Sequence, residues 1–587
     1  MSAPITDTAE WRRSVSATGL LRDFNAAGVL DASDVLVAQR LTHLAKEDNE
    51  LVALAIAFVV RAVRGGSVCL DLATVAQQVG EPDLPWPDPK QWLDAVSASV
   101  LAGDPPVVHL DAGLLYLDRY WIEECRVARD VLALASRSLS PTTRIGTSPD
   151  VARLFSGTYA EQRGAAEVAL SRALTVLTGG PGTGKTTTVA RLLALLAEQA
   201  ELDGRPRLRI ALAAPTGKAA ARLLEAVQEE VDKLEAIDRE RLPDLKATTL
   251  HRLLGSRPDT SSRFRHNRDN RLPHDVIVVD ETSMVSLTMM ARLLEAVRPD
   301  SRLLLVGDPD QLASVEAGAV LADLVEGLAA VDDTPIVRLV TSHRFGESIR
   351  SLANAIRDGR ADDAIEVLAT GGEHIEWVDT GDSSAPPASV LRKVLVPHAL
   401  ALREAAVLGD GPAALTILDE HRMLCAHRRG PYGVAYWNRQ VERWLAEQTD
   451  NPLWSDWYVG RPVLVTANDY GLGLYNGDTG VTVLREGVLR AVMSGAAGPL
   501  EIATSRLSDV ETMHTMTIHK SQGSQAREVT VLLPSQDSRL LTRELLYTAV
   551  TRARNKVRLI GSAEQLRAAV DRRAVRATGL KRRLSGA

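Results

Sequence analysis

The stretch Leu174-Thr-Val-Leu-Thr-Gly-Gly-Pro-Gly-Thr-Gly-Lys-Thr-Thr-Thr-Val189 decides the fold. Its first four residues, Leu174–Leu177, read as an apolar strand, and Thr187–Ala200 reads as a helix rich in Ala and Leu. Between them, Gly179 to Thr186 fits G-x-x-x-x-G-K-[ST] with strand and helix in the required places. Glycines let successive backbone N–H groups turn inward on phosphates, and the helix start adds the positive end of its dipole. The candidate cradle is Gly179, Gly180, Pro181, Gly182, Thr183, Gly184, Lys185, Thr186 and Thr187. Lys185 is placed to meet the β- and γ-phosphates, and the Thr186 hydroxyl to hold Mg²⁺.

Outward from this loop, short apolar strands alternate with Ala/Leu/Arg helices. Leu208–Ala213, Val276–Val279 and Leu303–Val306 join Leu174–Leu177, and a second set follows at Met423–Ala426, Val463–Thr466, Val529–Leu533 and Val557–Ile560. Such alternation predicts parallel sheets covered on both faces, here two α/β domains in tandem. Gly460 to about Met513 is rich in Gly, Val and Thr with turns such as Asn476-Gly477-Asp478, which predicts a small β insertion. Ser383 to Pro387 reads as a loop. Residues 1 to about 150 carry Ala, Val and Leu at helical spacing. Leu51–Val60 reads as a buried helix there, and Pro82–Pro89 as a connection.

Strand Val276–Val279 runs into Asp280-Glu281. At the carboxyl edge of a parallel sheet, Asp280 is suited to Mg²⁺ and Glu281 to orienting and deprotonating an attacking water. Paired acids are also common helix caps; the phosphate loop upstream favours chemistry. Leu303–Val306 runs into Gly307-Asp-Pro-Asp-Gln311, where an uncharged amide could sense a γ-phosphate.

Taken in order, the motifs resemble superfamily 1 helicases, and in detail the family of RecD subunits of the bacterial RecBCD (exodeoxyribonuclease V) complex. The matching set is Gln162, the phosphate loop, Ala214-Pro-Thr-Gly-Lys-Ala-Ala220, Thr249-Leu-His251, Asp280-Glu281, Gly307–Gln311 and His343-Arg344-Phe345. It continues with Met516-Thr-Ile-His-Lys-Ser-Gln-Gly523 and Tyr547-Thr-Ala-Val-Thr-Arg552-Ala-Arg554, while Asn468 to Asp478 is similar to the insertion of that family's second motor. The resemblance implies two tandem RecA-like P-loop motors, at 151–345 and at 346–455 with 514–587. It also implies a small SH3-like β insertion at 456–513 and a mainly helical N-terminal partner-docking domain at 1–150. It implies an ATP- and Mg²⁺-dependent 5′→3′ DNA helicase subunit that processes double-strand breaks with RecB-like and RecC-like partners. Single-stranded DNA from duplex ends would be its track and the nuclease centre would sit on a partner.

By the same resemblance Gln162 reads the adenine edge, Lys185, Asp280, Glu281 and Gln311 serve catalysis, and Arg344 and Arg552 reach the γ-phosphate from the second motor. Pro215, Thr216, Lys218, Thr249, His251, Thr517 and His519 would contact DNA phosphates and sugars. Two basic stretches stay open between solvated surface and contact: Arg257 to Arg271, an exposed loop or hairpin, and the tail Arg567 to Arg583. The N-terminal domain likewise stays open between partner docking and capping the first motor.

Composition narrows the classes. The chain has 587 residues, 45 % hydrophobic and 24 % charged, as expected of a multidomain globular protein. Its net charge of −7 does not advertise nucleic-acid binding, though a basic groove can sit on an acidic protein. Three cysteines without paired spacing predict neither a disulfide framework nor zinc and fit a reducing cytoplasm. No apolar run reaches the ~18–20 residues of a membrane span, so no membrane partner is expected. The rival readings are a stand-alone RecD-like helicase and a structural subunit with a vestigial ATPase.

Overall fold

The computed structural model describes residues 12–138, 149–155, 159–257, 260–329, 334–341, 347–381, 386–450, 455–469, 471–495 and 498–586. The expected loop at 383–387 falls mostly outside them, as do His343, Arg344 and Phe345.

The first motor is a six-stranded, wholly parallel sheet in the spatial order Ile336–Leu339, Leu174–Gly179, Arg302–Gly307, Val276–Val279, Ile210–Ala214, Ala247–Thr249. Side chains alternate between two apolar layers. Leu177, Val278 and Leu304 face helices Ala160–Ser171 and Lys185–Leu202, while Leu174, Ile277 and Leu303 face helix Leu287–Ala296. Burial on both faces is why these strands read as continuous apolar runs. The second motor repeats the plan with five parallel strands in the order Ile375–Val378, Ala553–Ile560, Ala526–Leu532, His421–Cys425, Thr515–Thr517.

One strand carried two expectations. Pro462–Val465 overlaps Val463–Thr466 of the second set of apolar strands and also falls within the expected β insertion. It takes the latter place, pairing antiparallel with Thr479–Arg485 and Val510–Thr512 in a five-stranded sheet. A short apolar run fits a parallel core strand and an insertion strand equally well, and only pairing decides. The insertion is not detached: Leu464, Val481, Val483 and Val492 share a core with Leu424 and Val531 of the motor.

The N-terminal region is helical, as expected, with Glu50–Arg64 burying Leu54 to Val59 and capped by the Asn49 side chain. Phe24, Phe58, Trp86 and Trp92 interlock around that helix, so the proline-rich connection packs its half-buried Trp86 against the core. A three-stranded antiparallel sheet of Cys69–Asp71, Leu114–Leu117 and Val108–Asp111 was not anticipated. Its strands are three or four residues long, too short for a period-2 pattern to stand out.

The N-terminal region also packs on the first motor. Helix Asp118–Ala135 buries Val127, Val131 and Leu134 in the same core as Leu174 and Leu303 of the first motor. A chain beginning near Asp150 would lose these three large side chains, roughly 5–9 kcal/mol of burial. That rivals a domain's whole stability. We expect that truncation to be insoluble and one beginning at Asp118 to stay soluble; equal soluble yields would show the helix to be dispensable.

The basic tail is neither a free helix end nor an open contact surface. After helix Ala563–Asp571 the chain crosses back, and helix Leu580–Ser585 packs Leu584 against Gly327 of the first motor. Arg583 donates to Glu124 at 2.9 Å and pairs with Asp111 of the N-terminal sheet, and Lys581 pairs with Glu326 at 2.7 Å. The other basic stretch forms a hairpin of Ser256–Arg257 with Thr260–Phe264, where Arg268 pairs with Asp130 and Arg271 donates to the Val297 carbonyl. Among the described residues, no helix is long and apolar enough to cross a membrane.

Candidate active site

Strand Leu174–Gly179 delivers the loop into a cleft of about 320 Å³ between the two motors. Gly182 (φ 80°) and Gly184 (φ 82°) take the left-handed conformation that a side chain would strain. Lys185 Nζ donates to the carbonyls of Gly179 (2.7 Å) and Gly180 (3.0 Å), and Thr183 Oγ1 to Gly180 O (2.9 Å), so the loop curls around its own lysine. Pro181, Gly182, Gly184, Lys185, Thr186 and Thr187 line the cleft.

Gln162, on helix Ala160–Ser171, is buried beside the loop, its Nε2 3.5 Å from Thr183 O. Its Oε1 is buried with no hydrogen-bond partner among the described residues. An unmet acceptor of this kind costs stability unless a ligand donor answers it. Phe155 and Tyr159 wall the same end, with the Arg191 guanidinium 4.6 Å from the Tyr159 ring centre.

Asp280 and Glu281 lie at the carboxyl end of the central strand, facing Lys185. Burial pushes the Asp280 carboxyl up, the neighbouring Glu281 charge pushes it further, and Lys185 opposes both. Glu281 itself sits at φ 50°, a backbone conformation non-glycine residues rarely hold, which re-aims its side chain at the end of the strand.

The second motor reaches into this cleft. Arg552 Nη2 donates to Gln311 Oε1 at 2.7 Å, Gln311 Nε2 donates to Asp308 Oδ2 at 3.1 Å, and the Tyr547 hydroxyl donates to that same oxygen at 3.0 Å. Arg552 is buried, and its Nε is anchored on Thr548 O at 3.1 Å. Of the two expected arginines, Arg552 is therefore seated at the interface, while Arg344 lies outside the described residues.

Arg222 was missed by the sequence reading. It projects into the cleft from helix Gly217–Val231 and reaches Gln525 and the Gly523 carbonyl of the second motor. The signal was present: Ala219, Arg222, Leu223 and Ala226 line the cleft at helical spacing, one turn beyond Pro215-Thr-Gly-Lys218.

The expected nucleic-acid residues divide. Thr216, Thr249 and Thr517 accept backbone N–H bonds from Ala219 (3.2 Å), Arg252 (3.2 Å) and Lys520 (3.3 Å), so each also caps the turn that it begins. Pro215 leads into the first of these caps. His251 is exposed with its ring edge on Phe264, and burial pushes the partly covered His519 down, favouring neutral imidazole. Lys218 reaches across to the second motor's insertion. Its ammonium donates to Thr479 Oγ1 of the β insertion at 3.4 Å, and burial, then Arg422, lowers its pKa to about 8. It ties the first motor to the insertion.

Beside Thr517 opens a groove of about 1260 Å³ between helix Val434–Thr449 and strand Val510–Thr512. Glu511 pairs with Arg428 (3.0 Å) and Lys520 (2.9 Å), whereas the exposed Arg439 and Arg443 make no ion pair among the described residues. One helical turn separates them on the same face, flanked by Ala435 and Ala446. Glu442 and Asp456 are the remaining acids lining the groove.

Residues 162–317 match the family profile described as an AAA domain, 512–560 a UvrD-like helicase C-terminal domain, and 26–116 the N-terminal domain of RecBCD enzyme subunit RecD. The chain is 69 % identical over 558 residues to RecBCD enzyme subunit RecD of Mycolicibacterium smegmatis, covering 95 % of this chain and 98 % of that protein. It is 65 % identical over 572 residues to the same subunit of Mycobacterium tuberculosis strain H37Rv, covering 97 % and 98 %. The ATP-dependent RecD2 DNA helicase of Deinococcus radiodurans is 32 % identical over 438 residues, which cover 73 % of this chain and 52 % of that protein. Among solved structures, Bacteroides Pif1 bound to single-stranded DNA aligns with a TM-score of 0.37 at 17 % identity, covering 68 % and 91 %.

Proposed function

The chain belongs to the RecD family of RecBCD enzyme subunits, ATP-dependent DNA helicases of exodeoxyribonuclease V, and on that premise we propose which of its residues run the motor. The observation that carries the reading is the buried chain from Arg552 through Gln311 to Asp308, in which second-motor groups complete a first-motor nucleotide cleft.

ATP enters that cleft with its base toward Gln162 Oε1, Phe155 and Tyr159, and its phosphates on the loop of Gly179 to Thr187. The phosphates replace the Gly179 and Gly180 carbonyls as acceptors for Lys185. Mg²⁺ fits the donor set: Asp280 and Glu281 are two crowded carboxylates, and the Thr186 hydroxyl lines the same cleft. Thr186 and Asp280 would hold the ion, which neutralises phosphate charge when bound. Glu281 takes the proton of the attacking water, while Gln311, Arg552 and Arg344 meet the γ-phosphate. Because Arg552 belongs to the second motor, hydrolysis depends on closure, and opening afterwards ratchets the strand.

Single-stranded DNA runs over the motors past Thr249, His251, Thr517 and His519 and along the Arg439/Arg443 groove, 5′→3′. RecB-like and RecC-like chains complete the enzyme, the N-terminal domain docks on a partner, and the nuclease centre lies outside this chain. Coverage of 98 % of the mycobacterial subunits against 52 % of RecD2 favours the complexed form over a stand-alone helicase. An intact set of Lys185, Asp280, Glu281, Gln311 and Arg552 disfavours a vestigial ATPase.

The test is ATP-dependent strand displacement by the purified chain on partial duplexes. A 5′ overhang is expected to support it and a 3′ overhang not; displacement from the 3′ overhang alone would overturn the polarity. Replacing Arg439 and Arg443 together by Ala is expected to weaken single-strand affinity about tenfold. It should also flatten the salt dependence by about 1.4 log units per log unit of salt, two phosphate contacts at ~0.7 each. An unchanged salt slope would remove the groove from the track.

A further inference from the structure

We infer that Tyr547 is a positioning residue for ATP hydrolysis, its phenol holding the Asp308 carboxylate, and through it the Gln311 amide, in place only while the second motor is seated on the first. The inference rests on the motor reading above and assigns it a residue that the reading leaves without a role.

Asp308 Oδ2 accepts two donors, one from each motor: Gln311 Nε2 at 3.1 Å and Tyr547 Oη at 3.0 Å. Its Oδ1 accepts the backbone N–H of Asp310 at 3.1 Å. The carboxylate is buried, so a lost donor is not replaced by bulk water. Gln311 is oriented at both ends of its amide, Nε2 by Asp308 and Oε1 by Arg552 at 2.7 Å. Loosening Asp308 therefore frees one end of the group that must meet the γ-phosphate.

The phenol is also close to the nucleotide. A Cβ built on Gly180 would lie 3.1 Å from the Tyr547 oxygen, which places the hydroxyl against the phosphate loop. Helix Arg543–Val550 carries both Tyr547 and Thr548, and Arg552 follows its end. Thr548 Oγ1 accepts the Leu312 N–H at 2.9 Å. One rigid element thus grips the loop of Asp308 to Leu312 at three places, and the Tyr547 grip is the one that also touches the phosphate loop. Opening the motors withdraws all three together.

Tyr547→Phe keeps the ring and its packing and removes one hydrogen bond. In the full-length chain, kcat for single-strand-stimulated ATP hydrolysis is expected to fall about tenfold or more, the scale of a buried hydrogen bond to a charged group. KM for ATP, single-strand affinity and Tm should stay within about twofold or unshifted. Turnover within twofold of the unaltered chain would overturn the inference, leaving the ring as packing, and so would a KM that rises in step with the loss. The double variant with Asp308→Asn should lose no more than Asp308→Asn alone; additive losses would equally overturn it. If the unaltered chain itself shows no single-strand-stimulated turnover, the motor reading fails and this one with it.

Discussion

Lys185→Ala is expected to lower single-strand-stimulated ATP hydrolysis by about 10²–10³-fold or more, with the fold intact. The size follows from where the ammonium sits. It is the cation of the loop itself, drawn between the Gly179 and Gly180 carbonyls at 2.7 and 3.0 Å and facing the Asp280 carboxylate. In the transition state this position is filled by β- and γ-phosphate oxygens, and a preorganised charge there needs no reorganisation when the bond breaks. The fold survives because, among the described residues, Nζ makes no hydrogen bond beyond those two, and because alanine is the best helix former at the first position of helix Lys185–Leu202. The measurement is the DNA-stimulated turnover beside a thermal melt. Turnover near that of the unaltered chain, at unchanged Tm, would dismiss Lys185 and with it the cleft as the hydrolytic site.

That site was largely legible in the sequence because its chemistry is carried by short local patterns. The phosphate loop needs glycines where φ is positive, at Gly182 and Gly184, and a lysine at the helix start; both requirements leave a mark within eight residues. Asp280 and Glu281 could be found because a strand ends there. What stayed hidden is what only tertiary pairing creates. Pro462–Val465 is an apolar run whose sheet is chosen by its neighbours, and helix Asp118–Ala135 has an amphipathic pattern that says it packs, but not on which core. The tail's basic residues looked like a solvated helix end because their partners, Asp111, Glu124 and Glu326, lie hundreds of residues away. Lys218 shows the same limit within a motif: its hydrogen bond to Thr479 Oγ1 of the insertion, at 3.4 Å, is a contact that no local pattern announces.

These hidden contacts join the second motor to the first and to the N-terminal sheet. Residues 572–586 leave the second motor and end fastened to the first motor and the N-terminal sheet. Ala577 O accepts the Val68 N–H at 2.8 Å, and Arg576 donates to the Glu316 and Gly318 carbonyls at 3.1 and 3.2 Å. The stretch from Arg572 to Thr578 carries no helix or strand, and its hydrogen bonds run to both motors, Arg572 donating to the Ser538 carbonyl at 2.6 Å and Arg576 to the first motor.

Glu281→Gln should separate binding from chemistry, cutting turnover about 10²–10⁴-fold, the usual contribution of a general base, while ATP still binds. An amide cannot take the proton of the attacking water, yet it has the shape of the carboxylate and tolerates the same φ of 50° no worse. Its effect on the neighbour has a definite sign. Two causes raise the Asp280 pKa, burial first and the Glu281 charge second. Removing the second lowers that pKa, so Asp280 stays ionised over a wider pH range and its grip on Mg²⁺ is kept. Lys185 and Thr186 are untouched, so the phosphates still find their partners. The variant should therefore rest with ATP bound and the motors closed through Arg552, Gln311 and Tyr547, holding single-stranded DNA far longer than the unaltered chain does. Nucleotide affinity measured beside turnover, with the lifetime of the DNA complex as the second readout, decides it. If ATP affinity collapses along with turnover, Glu281 belongs to the binding set and the proton acceptor lies elsewhere in the cleft.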